Sequence, residues 1–571
     1  MTPADAVRGR WRVLAIAAIY AVACWIMLAP IFSFAHPATA HFGGDTRLII
    51  WTLAWDNHAL LDRVPSLFDA NIFYPASNAL AYSEHLYGIS LFTLPVYALS
   101  RNPVLAYNVV WVLAFFLSAA SAHLLAWRHT KDHLAALVAG LTFGFCFYRM
   151  HQGHGHLHMV WDFWIPLSLV AMERWFDAPT WRRLALFVAV VVLQALASWY
   201  QAVMILIADA LLLLWLVLVE RPRPNGADAR ARLSRFTLQA AVGGVVALAL
   251  VWPFARHYYV LAGEGPAAVA AGGADLAGYL VPPENTFAGQ WLIAHGYEGP
   301  RWIWGEVTVY LGWITMALAS LGAIIALRGR DDGPRRLRFF AILGVVAIAL
   351  AAGPLKSEVT ANAWGWSPFG VLMRLPGVNL FRVPARFTEL LTLALSMLAA
   401  AGCAALHARF GRIGRVVTAV AIPLALCEFY VVNFPGGPPV PFPVPAIYKV
   451  VATLPPGAVV SLPDLADTPI WFDEADYQYF STVHWRPIAN GYSRAEPPGF
   501  RALMARLKTF PSPTAAAAMR ATPIAYVVLH AGRIREGGRE LASQALASPA
   551  FRLVARSADD YLFEVVSGGP Q

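Results

Sequence analysis

Long apolar runs separated by short polar segments fill most of the chain. Those at 11–34, 103–127, 134–150, 158–173, 184–199, 200–219, 236–260, 305–327, 339–353, 386–406 and 413–434 each predict a helix that crosses a bilayer. Several are short enough to need tilt or snorkelling ends. The run at 86–100 is brief, contains Pro95 and ends at Arg101-Asn102-Pro103, so its length predicts a re-entrant or interfacial helix and not a further crossing. Beyond Phe434 the pattern changes. A Pro-rich linker at 435–444 leads into a less apolar domain at 445–571, where 458–462 and 525–529 read as buried strands. In the same domain 500–508 and 535–547 read as amphipathic helices, and 551–557 with 561–566 as a closing hairpin. The expected organisation is a spanning domain at 1–434 with an external first loop at 35–102, the linker, and a small α/β domain outside the membrane.

Composition fixes the class. Of 571 residues 58% are hydrophobic and 13% charged, with a mean hydropathy of +0.53, which makes this a polytopic α-helical membrane protein. The formal charge of +9 does not indicate nucleic acid, because the basic residues fall in short clusters between apolar runs. The clusters at 8–12, 128–131, 174–183, 221–235, 328–338 and 409–415 alternate so that all share one side, which the positive-inside rule makes the cytoplasm. An odd number of spans then puts the N-terminus inside and the C-terminal domain outside. The first run is longer than the apolar core of a cleavable signal, so a retained anchor is expected. Cys24, Cys146, Cys403 and Cys427 lie in apolar segments without CxxC spacing and read as core residues.

The polar loop after the first run opens at Gly43-Gly44-Asp45 and carries Asp56, Asn57, His58, Asp69, Glu84 and His85. A single apolar anchor, an early Gly44-Asp45, then Ser83-Glu84-His85 leading into the 86–100 helix and Arg101-Asn102-Pro103 before a long span together resemble the GT-C superfamily. These are integral membrane glycosyltransferases that take a sugar from a polyprenyl-phosphate carrier, protein mannosyltransferases and lipid A aminoarabinose transferases among them. The likeness covers about the first 180 residues in order and spacing, the remaining spans more loosely, and is greatest to bacterial members with a C-terminal periplasmic domain. Many mannosyltransferases carry an adjacent Asp-Glu pair, whereas Thr46 follows Asp45 here. The resemblance implies a multi-pass protein of the bacterial inner membrane whose partners are a polyprenyl-phosphate sugar donor, membrane lipids and a periplasmic glycan, lipid or protein acceptor. It gives no certain cofactor and leaves a divalent cation open.

Transfer from a sugar phosphate builds oxocarbenium character while an acceptor hydroxyl loses a proton, so a carboxylate beside the acceptor serves as general base. Asp45 is the first candidate and Glu84 the second, followed by Asp56 and Asp69; the bland alternative for Asp45 is a cap on a helix starting near Thr46. The leaving phosphate needs cations. Arg374, Arg382 and Arg386 stand on the face that the positive-inside rule depletes, and an Arg fork matches phosphate oxygens; lipid snorkelling or pairing with Glu389 is the alternative. Glu306 opens another span and lines the same cavity or simply favours a helix N-terminus. His151, His154, His156 and His158 occupy an external turn, where His156 and His158 read as substrate contacts, metal ligands or an interfacial turn without chemistry. Tyr200 offers a ring to stack on a sugar or belongs to the aromatic belt, and His85 joins Asp56 among the candidate substrate contacts. Asp473, Glu474, Asp476 and His484 of the C-terminal domain read as a solvated loop or a glycan contact. A transporter or a non-catalytic assembly protein for a cell-envelope polysaccharide or lipid is the competing class, although the one buried acid named within a run is Asp209.

Overall fold

The computed structural model describes residues 3–29, 43–220, 227–261, 273–274, 276–299, 309–328, 335–353, 367–375, 381, 383–432, 443–465 and 473–566. Its contacts divide the chain into two compact units. One comprises Met1–Phe32, Val110–Pro253 and Glu264–Pro438; the other comprises Ser33–Val109, Phe254–Gly263 and Pro439–Gln571. This division differs from a cut at 434, because the first loop folds with the C-terminal domain and not with the spans that flank it in sequence.

Among the described residues, Gly9–Leu28, Pro103–Thr130, His133–Gly153, Trp199–Leu218, Leu233–Tyr259 and Pro384–Phe410 are long and apolar enough to cross a membrane. Helices also form at Trp164–Asp177, Trp181–Ala197, Trp313–Arg328, Arg335–Ala351 and Arg412–Phe429, with 14 to 18 residues each. The run expected at 158–173 starts late. Only a single turn, Leu157–Val160, precedes the helix that begins at Trp164.

In the first unit the helix Thr388–Phe410 is buried almost all round and packs on His133–Gly144, Trp313–Arg328, Arg335–Ala351 and Arg412–Phe429. Small residues allow that closeness. A Cβ on Gly402 would overlap the Leu318 carbonyl and one on Gly322 the Leu398 carbonyl, so these backbones meet where no side chain fits. Against His133–Gly144 the helix runs antiparallel. His407 pairs with Asp132 at 2.8 Å, while Ser396 takes a 2.9 Å hydrogen bond from Thr142, so numbers fall on one helix as they rise on the other. The end marked by Asp132 also gathers Arg415, 3.6 Å from that carboxylate. Nearby basic loops converge through shared acids: Arg128 and Arg336 both reach Glu173 and Asp177, and Arg336 also reaches Glu220 at 2.9 Å. Cys24, Cys146 and Cys403 are buried as expected; Cys427 is exposed, because the helix Arg412–Phe429 turns much of its surface outward.

The second unit is built on a four-stranded sheet of β1 (Ala458–Leu462), β2 (Ile524–His530), β3 (Phe551–Ser557) and β4 (Asp560–Val565) in the order β1-β2-β4-β3. β1 and β2 pair in parallel and the rest antiparallel, so the chain must cross over between β1 and β2, which it does through the helices Glu474–Ser481, Phe500–Leu507 and Pro513–Ala521. Apart from Ser461, β1 and the interior of β2 are largely apolar, and both are almost wholly buried, as strands covered on both faces are.

The first loop is part of this unit's core. Its helix Gly43–Leu61 buries most of its residues and packs on Glu474–Ser481. Arg47 reaches Asp473 at 3.1 Å and Asp476 at 2.7 Å. The Phe73 and Tyr74 amides donate to the carbonyls of Asn490 and Ile488, each at 2.9 Å, while the Asn71 carbonyl accepts from the Ile488 amide at 2.8 Å. His58 stacks flat on Trp485 at 4.4 Å. The helix Tyr87–Ser100 belongs here too; its 14 residues span about 21 Å, short of a bilayer core of about 30 Å.

Candidate functional site

In the first unit, the ends of the helices opposite the basic loops carry a buried polar cluster. Arg149 is fully enclosed and ion-pairs with the equally enclosed Asp162, while also donating to Ser118 and to the Val160 carbonyl, each at 2.6 Å. Enclosing both charges without water demands this saturation of the guanidinium fork. The Asp162 carboxyl neighbours that of Glu389, which accepts 2.7 Å from the Gln201 amide; the same amide donates to the Met159 carbonyl at 3.0 Å. Arg386, one helical turn before Glu389, is 7% exposed, lies 4.8 Å over the Tyr200 ring and approaches the Met159 sulfur at 3.7 Å. Pro384 supplies the turn that delivers it, opening the short 3₁₀ segment Pro384–Phe387 ahead of the long helix. Two arginines and two acids thus share one interior, stacked against aromatic and thioether side chains.

The histidine turn borders this cluster and is less open than a surface turn. Phe147–Gly153 and Leu157–Val160 are helical, His151 and His154 are buried, and His156 and His158 are partly covered with their rings edge-on at 5.8 Å. Among the described residues no group of three or more His, Cys, Asp or Glu is arranged to hold a metal ion. Arg382 and Glu306 lie outside the described residues. Arg374 is described and exposed. Asp209 is buried and accepts from Ser168 at 3.0 Å.

In the second unit, Asp45 is the third residue of the helix Gly43–Leu61, inside its first turn, where a carboxylate meets the positive end of the helix dipole. It is half-buried, and its Oδ1 accepts from the Tyr492 hydroxyl at 2.8 Å. Glu84, also half-buried, sits between two anchored neighbours. The Tyr258 hydroxyl donates to the Ser83 carbonyl at 2.9 Å and accepts from the His85 amide at 3.0 Å.

Three readings of this region change. Asp56 is fully buried, its carboxyl takes the Ser90 hydroxyl at 2.5 Å, and burial lifts it well above the usual carboxylate range against the pull of that bond, so it is an interior acid and not a surface contact. His85 is buried against Phe254, Tyr258 and Phe68; burial, then repulsion from His257, pushes its imidazole down to about 3, which leaves a neutral core ring. Glu474 and Asp476 are enclosed and not solvated. Glu474 takes the Leu465 amide at 2.7 Å and the Asn490 amide at 3.2 Å, while Asp476 lies between Arg47 and Arg533. His484 is half-buried and stacks on Tyr448 at 5.9 Å. Asp69 stays exposed and takes the Asn78 amide at 2.7 Å as a turn carboxylate.

The sequence alone singles out Arg386, Tyr200 and Glu389 but misses Arg149, Asp162 and Gln201. Their signal is present as two opposite charges inside apolar segments, which intramembrane function or pairing must explain. Tyr492 gives none.

A bundle of spanning helices joined to a helix-rich first loop that is built into a small α/β domain matches solved structures of membrane glycosyltransferases. Arabinofuranosyltransferase AftD from Mycobacteria aligns with 98% of this chain and 42% of its own, at TM-score 0.60 and 15% identity. The Archaeoglobus fulgidus oligosaccharyltransferase tethered with an acceptor peptide aligns with 91% of this chain and 69% of its own, at TM-score 0.50 and 13% identity. The chain has the GT-C fold. It spans less than half the length of AftD. No family model and no curated protein matches the sequence.

Proposed function

We propose that this GT-C chain is an inverting glycosyltransferase that moves a sugar from a polyprenyl-phosphate carrier to an acceptor on the periplasmic face of a bacterial inner membrane, the acceptor being a glycan, lipid or protein. The observation that carries this reading is Asp45, a half-buried carboxylate fixed in the first turn of the first-loop helix of a chain with this fold. Asp45 accepts the proton of the acceptor hydroxyl, whose oxygen bonds to the anomeric carbon as the bond from that carbon to the phosphate oxygen breaks. The polyprenyl phosphate leaves with the electron pair. In the other unit, taken by itself, Arg386 is a buried fork at the end of its span away from the basic loops and is the candidate cation for a phosphate, with Arg382 beside it in sequence. Within that unit Tyr200 holds the Arg386 guanidinium over its ring, and His156, His158 and Glu306 are candidate contacts to a sugar phosphate; in the first loop Glu84 is the second candidate acid.

The test is transfer by purified protein with polyprenyl-phosphate sugars, together with native mass analysis of co-purifying lipid. Asp45→Asn is expected to fold and insert but to lose about a hundredfold or more in turnover, the scale of a lost general base. Arg386→Lys is expected to raise the donor KM, since the planar fork is lost while the charge stays. Unchanged turnover in the first variant retires the base, and a lipid fraction without polyprenyl phosphate retires the donor.

A further inference from the structure

Asp45 does not stand alone on its helix: what fixes it comes from the far end of the chain. Tyr492 is 447 residues away, 8% exposed, and donates to Asp45 Oδ1 at 2.8 Å. The segment that carries it is rigid. The Asn490 side chain accepts the Ser461 amide at 2.7 Å, donates to the Ser461 carbonyl at 2.9 Å and reaches Glu474, so the residue is tied to the buried strand β1. Its own carbonyl accepts the Phe73 amide at 2.9 Å. A Cβ on Gly491 would overlap the Phe73 ring, so glycine is what lets the segment close on the first loop one residue before the tyrosine. Two residues beyond Asp45, Arg47 is clamped by Asp473 and Asp476, and Asp476 is held in turn by Arg533 at 2.7 Å. The helix and the segment that carries the phenol are thus each tied by several bonds to the same domain.

We infer that Tyr492 is a positioning residue for the transfer reaction: it fixes the Asp45 carboxylate and stabilises its charged form. This rests on Asp45 being the base. A donor to a carboxylate favours ionisation, so the phenol keeps Asp45 deprotonated, and ready to take a proton, to lower pH than the carboxylate would reach without it. Losing the bond raises that pKa. The acidic limb of the turnover profile then moves to higher pH.

The experiment measures kcat and donor KM against pH for the full-length protein, Tyr492→Phe and Asp45→Asn with the same polyprenyl-phosphate sugar. Tyr492→Phe is expected to lower kcat roughly tenfold near neutrality with donor KM unchanged, and to shift the acidic limb up by about one to two units, the range of one hydrogen bond to a charged group. Incorporation of 3-fluorotyrosine at 492 keeps the shape, makes the hydroxyl a stronger donor and is expected to move the limb the other way, which preserves the test if the phenylalanine variant fails to fold. Unmoved limbs in both variants, with Asp45→Asn inactive, would overturn the positioning role and leave the base intact. An active Asp45→Asn would instead remove the base itself.

Discussion

Two aspartates eleven residues apart on the helix Gly43–Leu61 face different surroundings, and burial decides what each can do. Asp45 is half-buried and takes a phenol, whereas Asp56 is fully enclosed with the Ser90 hydroxyl against it. Burial raises the Asp56 pKa well above its unfolded value of about 3.9, so above that pH the folded state holds its proton more tightly than the unfolded state does. The unfolded state then binds fewer protons, and this group's contribution to stability falls as pH rises from about 4 towards the folded pKa. Asp56→Asn removes that dependence. The variant is expected to keep transfer activity, and its melting temperature relative to the parent is expected to climb as pH rises from about 4 towards the folded pKa. A difference that shrank over that range would mean the carboxyl is charged in the folded protein. Sequence alone ranks Asp45 above Asp56 from its place after Gly44 but cannot tell an enclosed acid from an open one, because enclosure depends on the helix Tyr87–Ser100 that packs across it.

At the scale of elements, the apolar periodicity shows where helices form, and the four strands appear within a residue or two of their expected positions. What it cannot show is which helix lies at the centre. Thr388–Phe410 takes that place because glycines let its neighbours approach to backbone contact, and a glycine in an apolar run gives no sign of its partner. Similarly, Arg386 is legible because it breaks the charge rule locally, while the pairing of Arg149 with Asp162 needs the folded turn between them. Two glycines of this bundle test the packing with opposite signs. Gly402→Ala drives a methyl group into the Leu318 carbonyl and the Gly322 amide, and a loss of about 1–3 kcal/mol is expected from overpacking. Gly344→Ala meets only ordinary contacts at 3.6 Å with Ala394 and Leu391, so the better helix propensity of alanine is expected to leave it neutral or up to about 1 kcal/mol more stable. Thermal unfolding in detergent measures both, and equal destabilisation would refute the close approach at Gly402.

For the whole molecule, the linear pattern draws a boundary at 434, but the contacts assign Ser33–Val109 and Phe254–Gly263 to the same unit as Pro439–Gln571. The reason is chemical. Within residues 43–109, Arg47, Asn71, Phe73 and Tyr74 each bond to residues between 473 and 490, and His58 stacks on Trp485. A chain ended after Phe434 would strip those partners at once and leave the inward faces of Gly43–Leu61 without cover. Such a truncated protein is expected to insert and to keep its spanning helices, because the Thr388–Phe410 packing is untouched, while its first loop becomes open to protease between residues 43 and 102 and transfer is lost. Mapping the cleavage sites by mass analysis, alongside helical content by circular dichroism, checks both halves. A truncated chain whose first loop still resisted protease would show that the loop folds on its own, and that the C-terminal domain is an appendage after all.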